Sequence, residues 1–103
     1  ATHVSVVNFG IASCSLDGAW FKSVGGNITH LDLSRNYFVA CDFIKHTPNL
    51  TFLDLSHNLL ESLPDEIGQL DNLEHLNLQL NRLCKIPGSL GTLNKMTYLN
   101  LAE

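Results

Sequence analysis

Basic residues are scarce in this chain, and it has no long apolar run and no close pair of cysteines. Six Lys and Arg stand against ten Asp and Glu, for a formal net charge of −4. Nucleic acid is therefore not expected as a partner, since phosphate binding needs concentrated positive charge. No stretch reaches the roughly 18 apolar residues of a membrane-crossing helix, so membrane insertion is not expected either. The chain opens without Met, in mid-pattern, and shows no signal-like segment. Cys14, Cys41 and Cys84 are odd in number and lie 27 and 43 residues apart, whereas a zinc site wants close pairs. No metal or other cofactor is expected, and this cysteine usage favours a reducing, cytoplasmic setting. At 103 residues, 45 % of them apolar, the chain has material for one globular domain at most.

What is present is a repeat. Ile28-xx-Leu31-x-Leu33-xx-Asn36-x-Phe38 returns as Leu50-xx-Leu53-x-Leu55-xx-Asn58-x-Leu60 and as Leu73-xx-Leu76-x-Leu78-xx-Asn81-x-Leu83. A partial copy, Met96-xx-Leu99-x-Leu101, follows, and the intervals from Leu31 to Leu53, Leu76 and Leu99 are 22, 23 and 23 residues. Self-similarity at such a period predicts a solenoid, in which each unit buries its apolar face on the next. Val4-x-Val6-xx-Phe9-x-Ile11 fits the same register as a degenerate earlier unit with Phe9 in the Asn position. Strands are predicted near 3–7, 30–34, 52–56, 75–79 and 98–101, each too short to be stable alone. Asn36, Asn58 and Asn81 are expected to be structural: a buried amide both donates and accepts, and so satisfies backbone groups that a turn leaves unpaired. Phe9 cannot, which predicts a looser first turn.

The segments between strands fall into two kinds. Leu60 to Leu70 matches Leu83 to Leu93, and Pro64 and Pro87 disfavour a regular helix there, so extended chain or a single helical turn is expected. Gly68 and Gly91 allow a tight backbone before Leu70 and Leu93 turn inward. Residues 15–25 instead place Leu16, Trp20 and Val24 on one helical face, with Ser15 as cap and Gly25 as stop. Trp20 and Phe21 are expected to put at least one ring into the core, and Asp42 to His46 to form a shorter helix of the same kind.

The L-x-x-L-x-L-x-x-N-x-L skeleton resembles the leucine-rich repeat, strongly over 28–103 and weakly over 3–27. The 23-residue form with Leu-Pro or Ile-Pro ahead of Ile67-Gly68 and Leu90-Gly91 is similar to repeats of intracellular signalling scaffolds: the Shoc2-like, LAP and Roco proteins. The resemblance implies an α/β solenoid. A short parallel β-sheet would line the concave face, with short helices, 3-10 turns or extended segments on the convex face. It implies one domain over 1–103, part of a longer array, with units near 1–27, 28–49, 50–72, 73–95 and a truncated 96–103. It also implies a concave face that binds a protein partner.

Strand alternation sends the Leu positions inward and the residues between them outward. Stacking then aligns equivalent residues into columns. The first is His3, His30, Phe52, His75 and Tyr98; the second is Ser5, Asp32, Asp54, Asn77 and Asn100. A third, Val7, Ser34, Ser56, Gln79 and Ala102, is expected outward too, with Asn8, Arg35, His57 and Leu80 beside it. Aromatic groups next to polar ones suit protein recognition. The expected anchors are His30, Phe52, His75 and Tyr98, with Asp32, Asp54, Asn77 and Arg35 setting specificity.

Other motifs weigh less. His30-x-Asp32 and His75-x-Asn77 are separated by Phe52 and give no tetrahedral ligand set. Asp54, Ser56 and His57 are the residue types of a hydrolytic triad, but an open strand face supplies neither pocket nor oxyanion hole, and the chain is not expected to be an enzyme. Asn27-Ile-Thr29 and Asn49-Leu-Thr51 are glycosylation sequons. They keep open an extracellular receptor segment that binds a peptide or glycan. A regulatory array of a larger enzyme, such as a Roco GTPase or a phosphatase, is a further alternative. Cys14 and Cys41 occupy neighbouring equivalent positions, either as two small buried residues or as a disulfide pair; Cys84 is expected to be more exposed.

Overall fold

The computed structural model describes residues 3–5, 25–39, 41–84, 86–93 and 95–101. Strands β1 (His3–Ser5), β2 (His30–Asp32), β3 (Phe52–Asp54), β4 (His75–Asn77) and β5 (Tyr98–Asn100) form one parallel sheet in chain order. The register follows the repeat: Leu31, Leu53, Leu76 and Leu99 lie opposite one another along the ladder. The fold is an α/β leucine-rich-repeat solenoid of this register. Short 3-10 helices, Gly25–Asn27, Asp42–His46, Asp65–Gln69 and Gly88–Thr92, form the opposite layer.

Burial explains the skeleton. Leu31, Leu53 and Leu76 are fully buried, as are Leu33, Leu55 and Leu78, together with Ile28, Leu50, Leu73, Phe38 and Leu60. Each such side chain stabilises the fold by about 1.5–3 kcal/mol relative to exposure. Leu99, on the outermost described strand, is 43 % exposed. Pro64 and Pro87 stand at the start of their 3-10 turns, and their carbonyls accept from the Ile67 and Leu90 amides at 3.1 Å. Proline is tolerated there because the first N–H of a turn has no internal partner. Gly68 is packed tightly: a Cβ on it would lie 2.5 Å from the Ser89 Cβ of the next turn, whereas one on Gly91 would meet nothing within 4 Å.

Two expectations need correction. The strands are three residues long rather than four or five, and Ser34 and Ser56 of the third column are buried rather than outward. The cause is local. Asp32 and Asp54 each accept the backbone N–H two residues on, Ser34 at 3.0 Å and Ser56 at 2.9 Å. This Asx turn bends the chain out of the pleat, so alternation ceases to apply. Three residues later Arg35, His57 and Leu80 take positive φ of 60°, 56° and 58°. Phe9, the 15–25 helix, Trp20, Phe21 and Cys14 lie outside the described residues, apart from Gly25.

The left-handed position carries a prediction. Leu80 is 46 % exposed, so its side chain gains little from burial while its backbone sits where an L-residue with a bulky side chain is disfavoured. Asn, which tolerates this region, is expected to raise stability by about 1 kcal/mol. An unchanged or lower melting temperature for Leu80→Asn would contradict this account.

Candidate functional site

The concave strip is built by the strand entries. The Phe52, His75 and Tyr98 amides donate to the Thr29, Thr51 and Glu74 carbonyls at 3.1, 3.1 and 3.0 Å. The same bond in each repeat places each ring one strand spacing from the last, and parallel strands lie about 4.8 Å apart. The rings accordingly stack. Centroids are 5.6 Å apart for His30–Phe52, 4.4 Å for Phe52–His75 and 4.2 Å for His75–Tyr98, with interplanar angles of 13°, 14° and 5°. The four expected anchors thus form one continuous column. His3 is opposite His30 in register.

Along this column His30, Phe52 and His75 are half-buried and Tyr98 is 42 % exposed. The Tyr98 hydroxyl accepts from the Asn100 amide at 3.2 Å, and the His30 Nδ1 pairs with the Thr29 hydroxyl at 3.2 Å. Asp32, Asp54, Asn77 and Asn100 follow in register as the second column. Asn77 makes the same Asx contact as the two aspartates, accepting from the Gln79 amide at 3.2 Å. The residue types of this column therefore serve the turn as well as the surface. Arg35 is not gathered in. It is exposed at the left-handed position and forms no ion pair with Asp32 or Asp54.

Behind the strip the three expected structural amides form a ladder across repeats. Leu33 O accepts from Asn36 and Asn58, and Leu55 O accepts from Asn58 and Asn81. Asn58 and Asn81 also accept the Phe38 and Leu60 amides of the preceding repeat, each at 3.0 Å.

With this geometry in place, comparison with known proteins is informative. A family model described as leucine rich repeat matches residues 48–103. The chain belongs to the leucine-rich repeat family. No curated protein matches it. Among solved structures, this leucine-rich repeat chain is similar to Listeria monocytogenes InlP at 34 % identity and a TM-score of 0.79, covering 93 % of this chain and 26 % of that one. A Leptospira interrogans LRR protein matches at 34 % identity and 0.67, covering 74 % and 20 %. The Arabidopsis receptor kinase HAESA, in complex with the peptide hormone IDA and the co-receptor SERK1, matches at 26 % and 0.51, covering 96 % and 20 %. The chain thus spans a minor part of each. None of these three lends support to the finer kinship with Shoc2-like, LAP or Roco proteins.

The remaining motifs of the leucine-rich repeat chain resolve as follows. Ser56 is buried, and among the described residues no hydrogen bond joins it to His57 or joins His57 to Asp54. No group of three metal-ligating side chains is found among the described residues. A pocket of about 80 Å³ lined by Leu78, Asn81, Leu83, Ile86 and Leu101 is far smaller than the roughly 300 Å³ at which ligand sites begin. No helix of the described residues is long and apolar enough to cross a membrane. Asn27 and Asn49 are both exposed, and Asn49 ties its repeat to the previous one by donating to Gly26 O at 2.7 Å. Cys41 is buried and Cys84 is exposed.

One surface escaped the sequence reading. Tyr37 and Val39, 58 % and 46 % exposed, flank the buried Phe38 just beyond Asn36. Their only sequence signal is a large apolar residue on either side of a core position.

Proposed function

We propose that the chain is a protein-binding module whose concave strip receives a partner, in the reducing interior of a cell and within a signalling or scaffolding assembly. The observation that carries this reading is the continuous ring column His30, Phe52, His75 and Tyr98, running beside the polar column Asp32, Asp54 and Asn77. Aromatic anchors supply contact area with few torsions to freeze, and the polar column beside them supplies discrimination. Arg35 stands at the rim as a further specificity contact. The odd number and wide spacing of the cysteines support the reducing compartment. HAESA, a solved array of related fold, engages a peptide hormone and a co-receptor, which supports a polypeptide as the ligand class.

The test uses peptides selected from a random heptapeptide display library against the intact chain. Phe52→Ala and Tyr98→Ala are each expected to weaken a selected peptide about tenfold, the lower range of an interface anchor. Far-UV circular dichroism should be unchanged. Undiminished affinity in both variants moves the binding site off the concave strip.

A further inference from the structure

We infer that the occupant of the concave strip is an extended, Arg- and Lys-rich segment of a partner polypeptide, laid across the strands with its basic side chains on Asp32 and Asp54. This rests on the concave-face reading above and names the chemistry of its ligand.

The argument begins with charge. Asp32 and Asp54 face each other across neighbouring parallel strands in strict register. Like charges directly opposite on adjacent strands repel. Each carboxylate spends Oδ1 on the turn that follows it and has no second partner among the described residues. Arg35, three residues along the chain from Asp32, does not pair with either. The sheet therefore holds two fixed, adjacent carboxylates, each with an oxygen to spare. A guanidinium is the group that best bridges them, because its planar fork presents several donors at once.

The ring column fits the rest of such a segment. Rings stacked face to face along the sheet turn their edges, not their faces, to the outside. The Phe52 edge carries the positive end of its quadrupole, and the edges of His30, His75 and Tyr98 carry N–H or O–H groups that can donate, so the strip can receive carbonyl oxygens. Basic side chains are directed to the aspartate column, and backbone carbonyls to the ring edges. From β2 to β5 the columns cross three strand spacings, about 14 Å, which four or five extended residues cover.

The two columns can be tested separately. Peptides selected from the heptapeptide library are expected to carry an excess of Arg and Lys. A synthetic copy of the tightest should bind the Asp32→Asn/Asp54→Asn variant about tenfold more weakly. Its affinity for the native chain should fall as NaCl is raised. Asparagine keeps the Oδ1 acceptor, as Asn77 does in the next repeat, so the variant retains its turns, and with the repulsion between the two carboxylates removed its melting temperature should be no lower than that of the native chain. Selected peptides without basic excess that lose affinity with Phe52→Ala but ignore the Asp pair overturn the basic segment and leave the concave reading standing. Peptides indifferent to Phe52→Ala and to the Asp pair alike overturn both.

Discussion

Asn58→Ala is expected to lower stability by about 3 kcal/mol, a large share of the 5–15 kcal/mol that holds a domain together. The cost follows from which groups lose their partners. Leu33 O keeps the Asn36 amide, Leu55 O keeps the Asn81 amide, and Ser56 O keeps the Arg35 N–H. Phe38 N–H, which donates to Asn58 Oδ1 at 3.0 Å, is left buried and unpaired. A stranded buried donor costs about 1–3 kcal/mol, and the void left by the amide adds to it. Asn58→Asp is expected to be worse than alanine at neutral pH. It retains an acceptor for Phe38 but sets a buried negative charge against the carbonyls of Leu33, Leu55 and Ser56. Urea unfolding of the two variants beside the native chain measures both steps. A loss under about 1 kcal/mol for alanine would mean that water replaces the amide, and the ladder would then hold the repeats less than its geometry implies.

The asparagine ladder was legible in the sequence because one physical rule governs it: a polar residue recurring at a core position must find partners. The same holds for the register, since equivalent Leu residues can share a core only if the strands align. From register came the columns, and so the neighbours His30, Phe52, His75 and Tyr98. What periodicity could not supply was the path of the chain after the strand. Alternation assumes an extended backbone, and the Asx contacts of Asp32 and Asp54 end that extension at the next residue. Ser34 and Ser56 are buried for this reason, where simple alternation would turn them outward. Ring geometry was equally out of reach. A column of aromatic residues is compatible with splayed side chains or with stacked ones. The 4.2 Å and 4.4 Å separations, and the outward ring edges that follow from them, come from three-dimensional packing alone.

Gly25→Ala is expected to destabilise the fold by more than about 3 kcal/mol, beyond the usual range for an overpacked site. A Cβ on Gly25 would lie 2.0 Å from the His46 carbonyl oxygen and 2.8 Å from its carbon, with the Thr47 methyl at 3.3 Å. The first two are backbone atoms at the end of the next 3-10 turn, so no side-chain rotation relieves the contact. Gly25 is the point where two successive convex turns come together, and it occupies the position that Thr47, Leu70 and Leu93 hold in later repeats, each buried. Separating the turns would lift them off the Ile28, Ile44 and Leu50 core below. Gly26→Ala supplies the control, because a Cβ there meets nothing within 4 Å and the residue is exposed. It removes the same glycine freedom from the unfolded chain without the collision, so it should match or slightly exceed native stability. Thermal unfolding of the two variants separates steric contact from backbone propensity. Equal melting temperatures would show that the convex turns have room to part, and that the solenoid is held by its sheet and asparagine ladder rather than by close packing on its convex side.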